Sequence, residues 1–583
     1  MASFAAGRRA FLVALTFAVI ACGPSNAQEG RRGFYAPPAP GTFHAAVAEF
    51  GMVVAQEKLA AQIGADILRR GGNAVDAAVA TGFAMAVTYP RAGNIGGGGF
   101  MVIHSADRKE DVAIDYRETA PAATTRDIFL GADGKPEIAK SRDSALGIGV
   151  PGTVAGLTLA LEKYGSGKIT LRAILKPAIE LAAKGVLIAD DSADTLPDWH
   201  KRLAKWPSSA KIFSRADGSS LREGDTLVQS DLATTLTTIL EQGPRGFYQG
   251  PVAEKLVKSI GDAGGIMTLD DLKSYQPVIR SPVRGSYRGY DIVSMPQPSS
   301  GGVVLLETLN ILEGFPMREL AQGSAPSLHV MIEAMKRAYA DRARYLGDPA
   351  FVNAPIAALV AKDYAAKQRL SIDLNRATPW TDALSALPPR EGSNTTHFSV
   401  VDSRGNAVSN TYTLNFSYGV GLVAEGTGVL LNNELDDFTA APGASNAYGL
   451  VGFEANLPGP GKRPLSSMAP TIVLKDGKPV LVTGSPGGSR IISTVLQVIV
   501  NVLDYQMDVA AAVAAPRLHH QWLPDEVRIE RGFADDTVAA LKAMGHVIVV
   551  PLGQTSANSI AVTPNELLGA PDPRTRGAEA AGQ

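Results

Sequence analysis

Cysteine is almost missing from this chain: Cys22 is the only one among 583 residues. A disulfide framework and a cysteine nucleophile are thereby excluded for everything that follows it. A dominant charge is missing too. With 55 basic and 57 acidic residues the formal charge is −2, and no basic stripe is interleaved with aromatics, so nucleic acid is not an expected partner. Histidine is scarce, and of the eight present only His519 and His520 are adjacent, without an HExxH pattern; no metal site is expected. After the first thirty residues no apolar run reaches the roughly 18 residues of a membrane-spanning helix. There is no GxSxG nucleophile elbow. The stretch Gly147-Ile148-Gly149-Val150-Pro151-Gly152 matches GxGxxG, but no strand precedes it, a proline interrupts it and no acidic residue follows at about twenty positions. No dinucleotide, and no other cofactor, is expected.

What is present points to a layered α/β protein: 45% hydrophobic and 19% charged residues with 60 glycines, on a chain long enough for roughly two to four domains. Residues 1–27 read as a signal peptide, with Arg8 and Arg9 as the positive region, Ala10 to Ala21 as the apolar run and Ser25-Asn26-Ala27 as the cleavage site. GRRAFL at 7–12 resembles a twin-arginine signal, and Val19-Ile20-Ala21-Cys22 resembles a lipobox, which would anchor Cys22 to lipid. The expected location is the periplasm, free or lipid-tethered. Two glycosylation patterns, at Asn394 and Asn415, carry no weight behind a leader of bacterial type.

Helical periodicity runs from Lys58 to Arg70 and stops at Gly71-Gly72, where Asn73 is placed to cap a second helix, Ala74 to Ala84. Further helical patterns cover 154–186 and 327–346. Gly96 to Gly99, leading into a buried strand at Phe100 to Ile103, require that main chain approach something closely. Pro379 to Ser393 is the best linker candidate. Directly after it the chain turns strand-rich: Thr396 to Val401 and Ala407 to Leu414 read as a hairpin about Asp402 to Asn406. If Arg404 is its centre, Val401 faces Ala407, and by the same arithmetic Thr395 faces Thr413 on one face.

A threonine hydroxyl is a poor nucleophile without a base beside it, and one solution uses the threonine's own α-amino group, freed by backbone cleavage. That chemistry needs a cuttable linker directly before a strand that begins with Thr or Ser. Asn394-Thr395 meets the requirement. Threonine is nonetheless common in strands, so no single Thr carries the assignment.

NTTHFSVVD at 394–402, TYTLN at 411–415, NNELDDF at 432–438, PLSSM at 464–468 and GSPGGSR at 484–490 resemble, in order and spacing, the small-subunit motifs of the γ-glutamyltransferase family. DYRETAP at 115–121, the glycine run and APRLHHQWLPDE at 515–526 extend the resemblance to nearly the whole chain after the leader. It implies an N-terminal-nucleophile hydrolase fold, an αββα sandwich built by both chains of a self-cleaved precursor: a large subunit 28–394 and a small subunit 395–583. It makes Thr395 the nucleophile and Thr413 its hydrogen-bonding partner, with Gly487 and Gly488 offering amides to the oxyanion. It gives Arg117, Ser466 and Ser467 the donor's α-carboxylate, Glu434 and Asp437 its α-ammonium, and Asn415 a bridging place. Pro442 to Phe453 matches the lid of lid-bearing members, with Tyr448 as the gating aromatic. The implied reaction takes the γ-glutamyl group from glutathione or related compounds to water, amino acids or dipeptides, without cofactor or metal. Two rivals are a glutaryl-cephalosporin acylase, whose substrate lacks the α-ammonium, and an uncleaved binding protein.

Overall fold

In the computed structural model, residues 396–402 and 407–413 form the expected hairpin, with Val401 opposite Ala407 and Thr396 opposite Tyr412. The structure describes residues 35, 37–39, 41–380, 395–550 and 555–583. The leader with Cys22, nearly all of the linker and Asn394 lie outside the described residues.

The hairpin is the centre of a seven-stranded antiparallel sheet. Its order is Glu579–Gly582, Gly51–Ala55, Thr396–Asp402, Ala407–Thr413, Gly98–Ser105, Glu110–Tyr116 and Val278–Arg280. Strands from before and after the linker therefore lie side by side in one hydrogen-bonded sheet, so a cut between residues 394 and 395 would leave two chains that share a core. The glycine run explains its own composition here. A Cβ on Gly99 would lie 2.4 Å from the Cβ of Tyr412, and one on Gly97 would lie 2.0 Å from the carbonyl oxygen of Thr413. Any larger residue would pry the 98–105 strand from the hairpin.

A second seven-stranded sheet, ordered Ala46–Ala48, Leu567–Ala570, Ser559–Val562, Lys478–Thr483, Thr471–Lys475, Tyr290–Ser294 and Val283–Tyr287, packs against the first. Polar ties cross between them: the Ser409 hydroxyl donates to the Thr483 carbonyl at 2.9 Å, and that of Ser399 to the Asn558 carbonyl at 2.8 Å.

Helices cover both outer faces. Lys58–Arg69, Ala74–Thr88, Thr153–Tyr164 and Leu171–Lys184 lie over the first sheet. Gly301–Leu312, Ala325–Tyr345, Arg490–Leu503 and Val509–Ala514 lie over the second. The layers are thus αββα. Asn73 caps as expected, its side chain accepting from Val75 and Asp76 while Asp76 reaches back to the Asn73 amide. That helix runs four residues beyond the expected Ala84, and all of its residues are buried. An alanine-rich sequence with no polar face gives no periodic signal for where it ends. The first helix is capped by Glu57, whose carboxylate accepts from Leu59 and Ala60, a cap that sequence reasoning did not single out.

Candidate active site

Thr395 stands at the first position of the hairpin, buried at 8% exposure. Its hydroxyl donates to the Thr413 hydroxyl at 3.0 Å. Thr413 also accepts from the Asn415 backbone N–H at 2.8 Å, so its oxygen is fixed by two donors. The bond is the side-chain continuation of the hairpin register.

The chain after Thr413 leaves the sheet through Asn415, at φ 71°. The Asn415 amide donates to the Asn433 carbonyl at 3.0 Å. This holds the pocket side of the hairpin against the single 3₁₀ turn Glu434–Asp437. Arg117, directly after the 110–116 strand, reaches the same turn from the other side. Its Nε donates to the Pro464 carbonyl at 3.1 Å, one terminal nitrogen pairs with Glu434, and the other with Asp437 at 2.5 Å. Groups expected to take the donor's α-carboxylate and its α-ammonium, two charges on one carbon, are here tied to one another. Burial works against the Arg117 charge, but the two carboxylates outweigh it and hold its proton more tightly than usual. Burial raises the carboxyls of Glu434 and Asp437, with Arg117 pulling the other way.

Ser466 and Ser467 form the adjacent wall. The Ser466 hydroxyl accepts from the Met468 amide at 3.0 Å, and Ser467 accepts from Arg342 at 3.3 Å. Gly487 and Gly488 have φ of 128° and 59° and lie just before Ser489 and the helix Arg490–Leu503, with their carbonyls accepting from the Arg490 and Ile491 amides at 3.2 Å. A Cβ on Gly488 would lie 2.4 Å from the Tyr448 ring. That ring stacks on Phe416 at 5.4 Å, and its hydroxyl donates to Asn415 Oδ1 at 3.1 Å.

One cavity gathers these groups. Its walls include Thr395, Thr413, Gly488, Arg117, Asn415, Glu434, Asp437, Ser466, Ser467 and Tyr448. Of the residues singled out from sequence, Gly487 stands one position behind the wall and Asn394 is outside the described residues. The rest converge. The arrangement offers a hydrogen-bonded hydroxyl and a site for a group bearing both a carboxylate and an ammonium.

Sequence reasoning missed several neighbours. Glu118 is fully buried beside Arg117, neither of its oxygens has a hydrogen-bond partner among the described residues, and burial pushes its carboxyl up to about 7. Arg342, on the 325–345 helix, is a second buried guanidinium at the pocket wall, lowered to about 10 by burial. Asp436 accepts from the Ser141 hydroxyl at 2.5 Å. Only Glu118 and Asp436 had a signal, as members of motifs already quoted.

One group outside the cavity has metal-ligand chemistry: His329, Glu333 and His546, all buried, with donor atoms within 4.8 Å of one another. His329 and Glu333 stand one turn apart on the 325–345 helix, but His546 lies 217 positions after His329, so the sequence gave no three-ligand spacing to read. Their atoms are engaged, however. His329 and His546 share a hydrogen bond of 2.8 Å, and the other His329 nitrogen donates to the Asp373 carbonyl at 2.7 Å. Glu333 accepts from Arg337 at 2.7 Å and from the Thr378 amide at 3.1 Å, with Lys336 at 3.6 Å. Two fixed positive charges oppose a cation there, and the cluster reads as a structural knot.

The sequence model of the family described as Gamma-glutamyltranspeptidase matches residues 60–582. The chain is 51% identical over 550 residues to the glutathione hydrolase proenzyme of Escherichia coli (strain K12), covering 93% of this chain and 94% of that protein. It is 48% identical over 538 residues to the glutathione hydrolase proenzyme of Pseudomonas sp. (strain A14), covering 90% and 93%. Among solved structures it resembles cephalosporin acylase from Bacillus halodurans with a TM-score of 0.81 and 28% identity, covering 94% of this chain and 98% of that one.

Proposed function

The chain belongs to the gamma-glutamyltranspeptidase family, and from that premise we propose that Thr395 is the nucleophile with which it acts as a glutathione hydrolase and γ-glutamyltransferase. The observation that carries this reading is the convergence of Thr395, Thr413, Arg117, Glu434 and Asp437 on one cavity.

The precursor would cut itself between Asn394 and Thr395, giving a large subunit 28–394 and a small subunit 395–583. Cleavage frees the Thr395 α-amine, which takes the hydroxyl proton as Oγ1 attacks the γ-carbonyl of the donor. The carbonyl oxygen becomes an oxyanion, and the amides at Gly487 and Gly488 suit its charge. Collapse breaks the amide bond; the amine of cysteinylglycine takes the proton and leaves. Water, an amino acid or a dipeptide then gives up a proton to the same amine and takes the γ-glutamyl group, restoring Thr395. Donor binding exchanges partners: the α-carboxylate takes over Arg117 and the α-ammonium takes over Glu434 and Asp437, so no buried charge is left unpaired. The acylase alternative leaves the two acidic residues without a ligand, which is why the γ-glutamyl reading is preferred to it.

Export to the periplasm and lipid attachment at Cys22 belong to the same proposal and rest on Arg8, Arg9 and Val19 to Cys22. Among the described residues no helix is long and apolar enough to cross a membrane. Cys22→Ser should release a membrane-associated protein into the soluble fraction, and a native N-terminus at Gln28 would end the lipid assignment.

The central test is a denaturing gel with N-terminal sequencing of the smaller band, followed by mass spectrometry of protein quenched during turnover. A band beginning at Thr395 that carries the γ-glutamyl group on its first residue is expected. Full activity in uncut protein would overturn the mechanism.

A further inference from the structure

The segment 442–453, with Tyr448 at its tip, is stabilised within itself. The Asn446 side chain accepts from the amides of Tyr448 and Leu450 at 3.0 and 3.1 Å, and the Gly443 amide donates to the Gly452 carbonyl at 2.8 Å. Those bonds travel with the loop if it moves. Bonds from the loop to the body of the protein are a different matter, and one involves a residue outside the cavity wall. The Gln521 carboxamide donates to the backbone carbonyl of Tyr448 at 3.0 Å and to that of Leu523 at 3.2 Å.

The orientation of that carboxamide is dictated by its surroundings. Two carbonyl oxygens demand the NH₂ end, so Oε1 must face His519 Nε2, 2.9 Å away. His519 must then carry its proton on Nε2 and accept on Nδ1, where the Ser493 hydroxyl lies at 2.9 Å. Burial holds His519 down at about 3, so the ring is neutral and the tautomer is not disturbed near neutrality. Ser493, His519 and Gln521 are all buried. Ser493 is in the first turn of the helix Arg490–Leu503, which begins at the Gly487-Gly488 turn. A buried chain of hydrogen bonds thus runs from that turn to the loop that covers the pocket.

We propose that Gln521 is the latch of the lid, a positioning residue that holds the Tyr448 carbonyl and so sets how often the pocket opens to acceptor and water. The inference rests on the reading of 442–453 as a lid over Thr395. Opening must break the Gln521 bond together with those from the Tyr448 hydroxyl to Asn415 and from the Asn446 side-chain amide to Asp437 at 3.4 Å, whereas the loop's internal bonds survive it. The latch sits on a fixed plate, because Gln521 is held by His519 and by Leu523 at the same time. No entropy is recovered by leaving its amide loose, and a lost donor removes one bond to each of two carbonyls.

Two substitutions test it. Gln521→Glu keeps the shape and the acceptor toward His519 but removes both donors; Gln521→Met removes them without adding charge. Chymotrypsin cleavage after Tyr448 reads the open population, since the buried bond is cut only when the loop lifts. Both variants should be cut there about three- to tenfold faster than the parent, the range expected for one amide-carbonyl bond. Cleavage at other sites should not change. The rate of transfer to a dipeptide relative to glycine should rise in parallel, because a loosened lid favours the larger acceptor. Parental cleavage rates in both variants would overturn the proposal, as would equal acceleration at every site or an unchanged acceptor ratio. Proteolysis needs no turnover, so its failure would indict the latch and leave the reading of Thr395 standing.

Discussion

Thr395 donates its hydroxyl to Thr413 across 3.0 Å while its own backbone sits at φ 87°. A β-branched residue at positive φ is a steric outlier that costs on the order of 1–3 kcal/mol. A β-branched side chain in that region crowds the peptide before it, so the strain would be relieved if the chain is cut at that bond, the step proposed to free the α-amine.

Thr395→Ala should abolish both cleavage and activity. Thr395→Ser keeps the hydroxyl but has less to relieve, so it should still cut, more slowly than the parent. A time course on denaturing gels reads both outcomes; an alanine variant that cuts at the parental rate would remove Thr395 from the chemistry.

Thr413 accepts from both the Thr395 hydroxyl and the Asn415 amide. Thr413→Val keeps the shape and strands both donors, so kcat/KM should fall roughly ten- to a hundredfold, as for a lost buried hydrogen bond of about 1–3 kcal/mol. Steady-state kinetics on protein that has completed cleavage separate this from slow processing. An unchanged kcat/KM would mean that the hydroxyl pair only positions the strand.

Gly488→Ala places a Cβ where the Tyr448 ring lies, at a residue with φ 59°. The ring must move and the turn must strain, which displaces an amide assigned to the oxyanion. A loss of kcat on the order of a hundredfold is expected, with a smaller change in KM. Burst kinetics would show whether acylation is the step that slows. Equal losses in both constants would instead indicate a pocket that binds donor poorly.

These residues differ in how readable they were. The Thr395–Thr413 pair follows from hairpin arithmetic, because a strand period of two fixes which side chains share a face. The glycine run followed from sterics, and each of its glycines meets a neighbouring chain at less than 3 Å. Pairing of Arg117 with Glu434 and Asp437 could not be read, since more than 300 residues separate them and charge type says nothing about which partner is present when substrate is not. Gln521 was equally silent: nothing in its local sequence shows that its amide meets a carbonyl 73 positions earlier. The motifs found the cavity, and only the fold shows how its occupants are held.

Burial pushes the Asp436 carboxyl up to about 7, with the Ser141 hydroxyl pulling the other way. The folded protein therefore keeps a proton that the unfolded chain releases near pH 4. This contribution to stability is complete below about pH 4 and is lost as pH rises through about 7. Asp436→Asn keeps an acceptor for Ser141 and cannot ionise. Its stability relative to the parent should rise between pH 4.5 and 8, by roughly 1–4 kcal/mol given about 1.4 kcal/mol per pH unit of difference in proton affinity. Urea unfolding of both proteins at the two pH values reads the change, and a constant offset would show that Asp436 is ionised throughout.

The pairing of Arg117 with Asp437 makes donor selectivity a sharp test of the acidic residues. If Glu434 and Asp437 receive the donor's ammonium, Asp437→Asn removes one charge-assisted hydrogen bond, worth on the order of 1.5–3 kcal/mol, or about ten- to a hundredfold in kcat/KM for a γ-glutamyl anilide. A glutaryl anilide has a carboxylate but no ammonium. For it the substitution loses nothing at that end and weakens the grip of Asp437 on Arg117, which leaves the guanidinium freer to take the carboxylate. Its kcat/KM should hold or rise. Self-cleavage should survive, because Asp437 contributes neither to the Thr395 hydroxyl nor to its strained backbone. Kinetics with both anilides on parent and variant decide between the roles: an equal loss on the two donors would mean that Asp437 holds Arg117 in place and does not read the substrate.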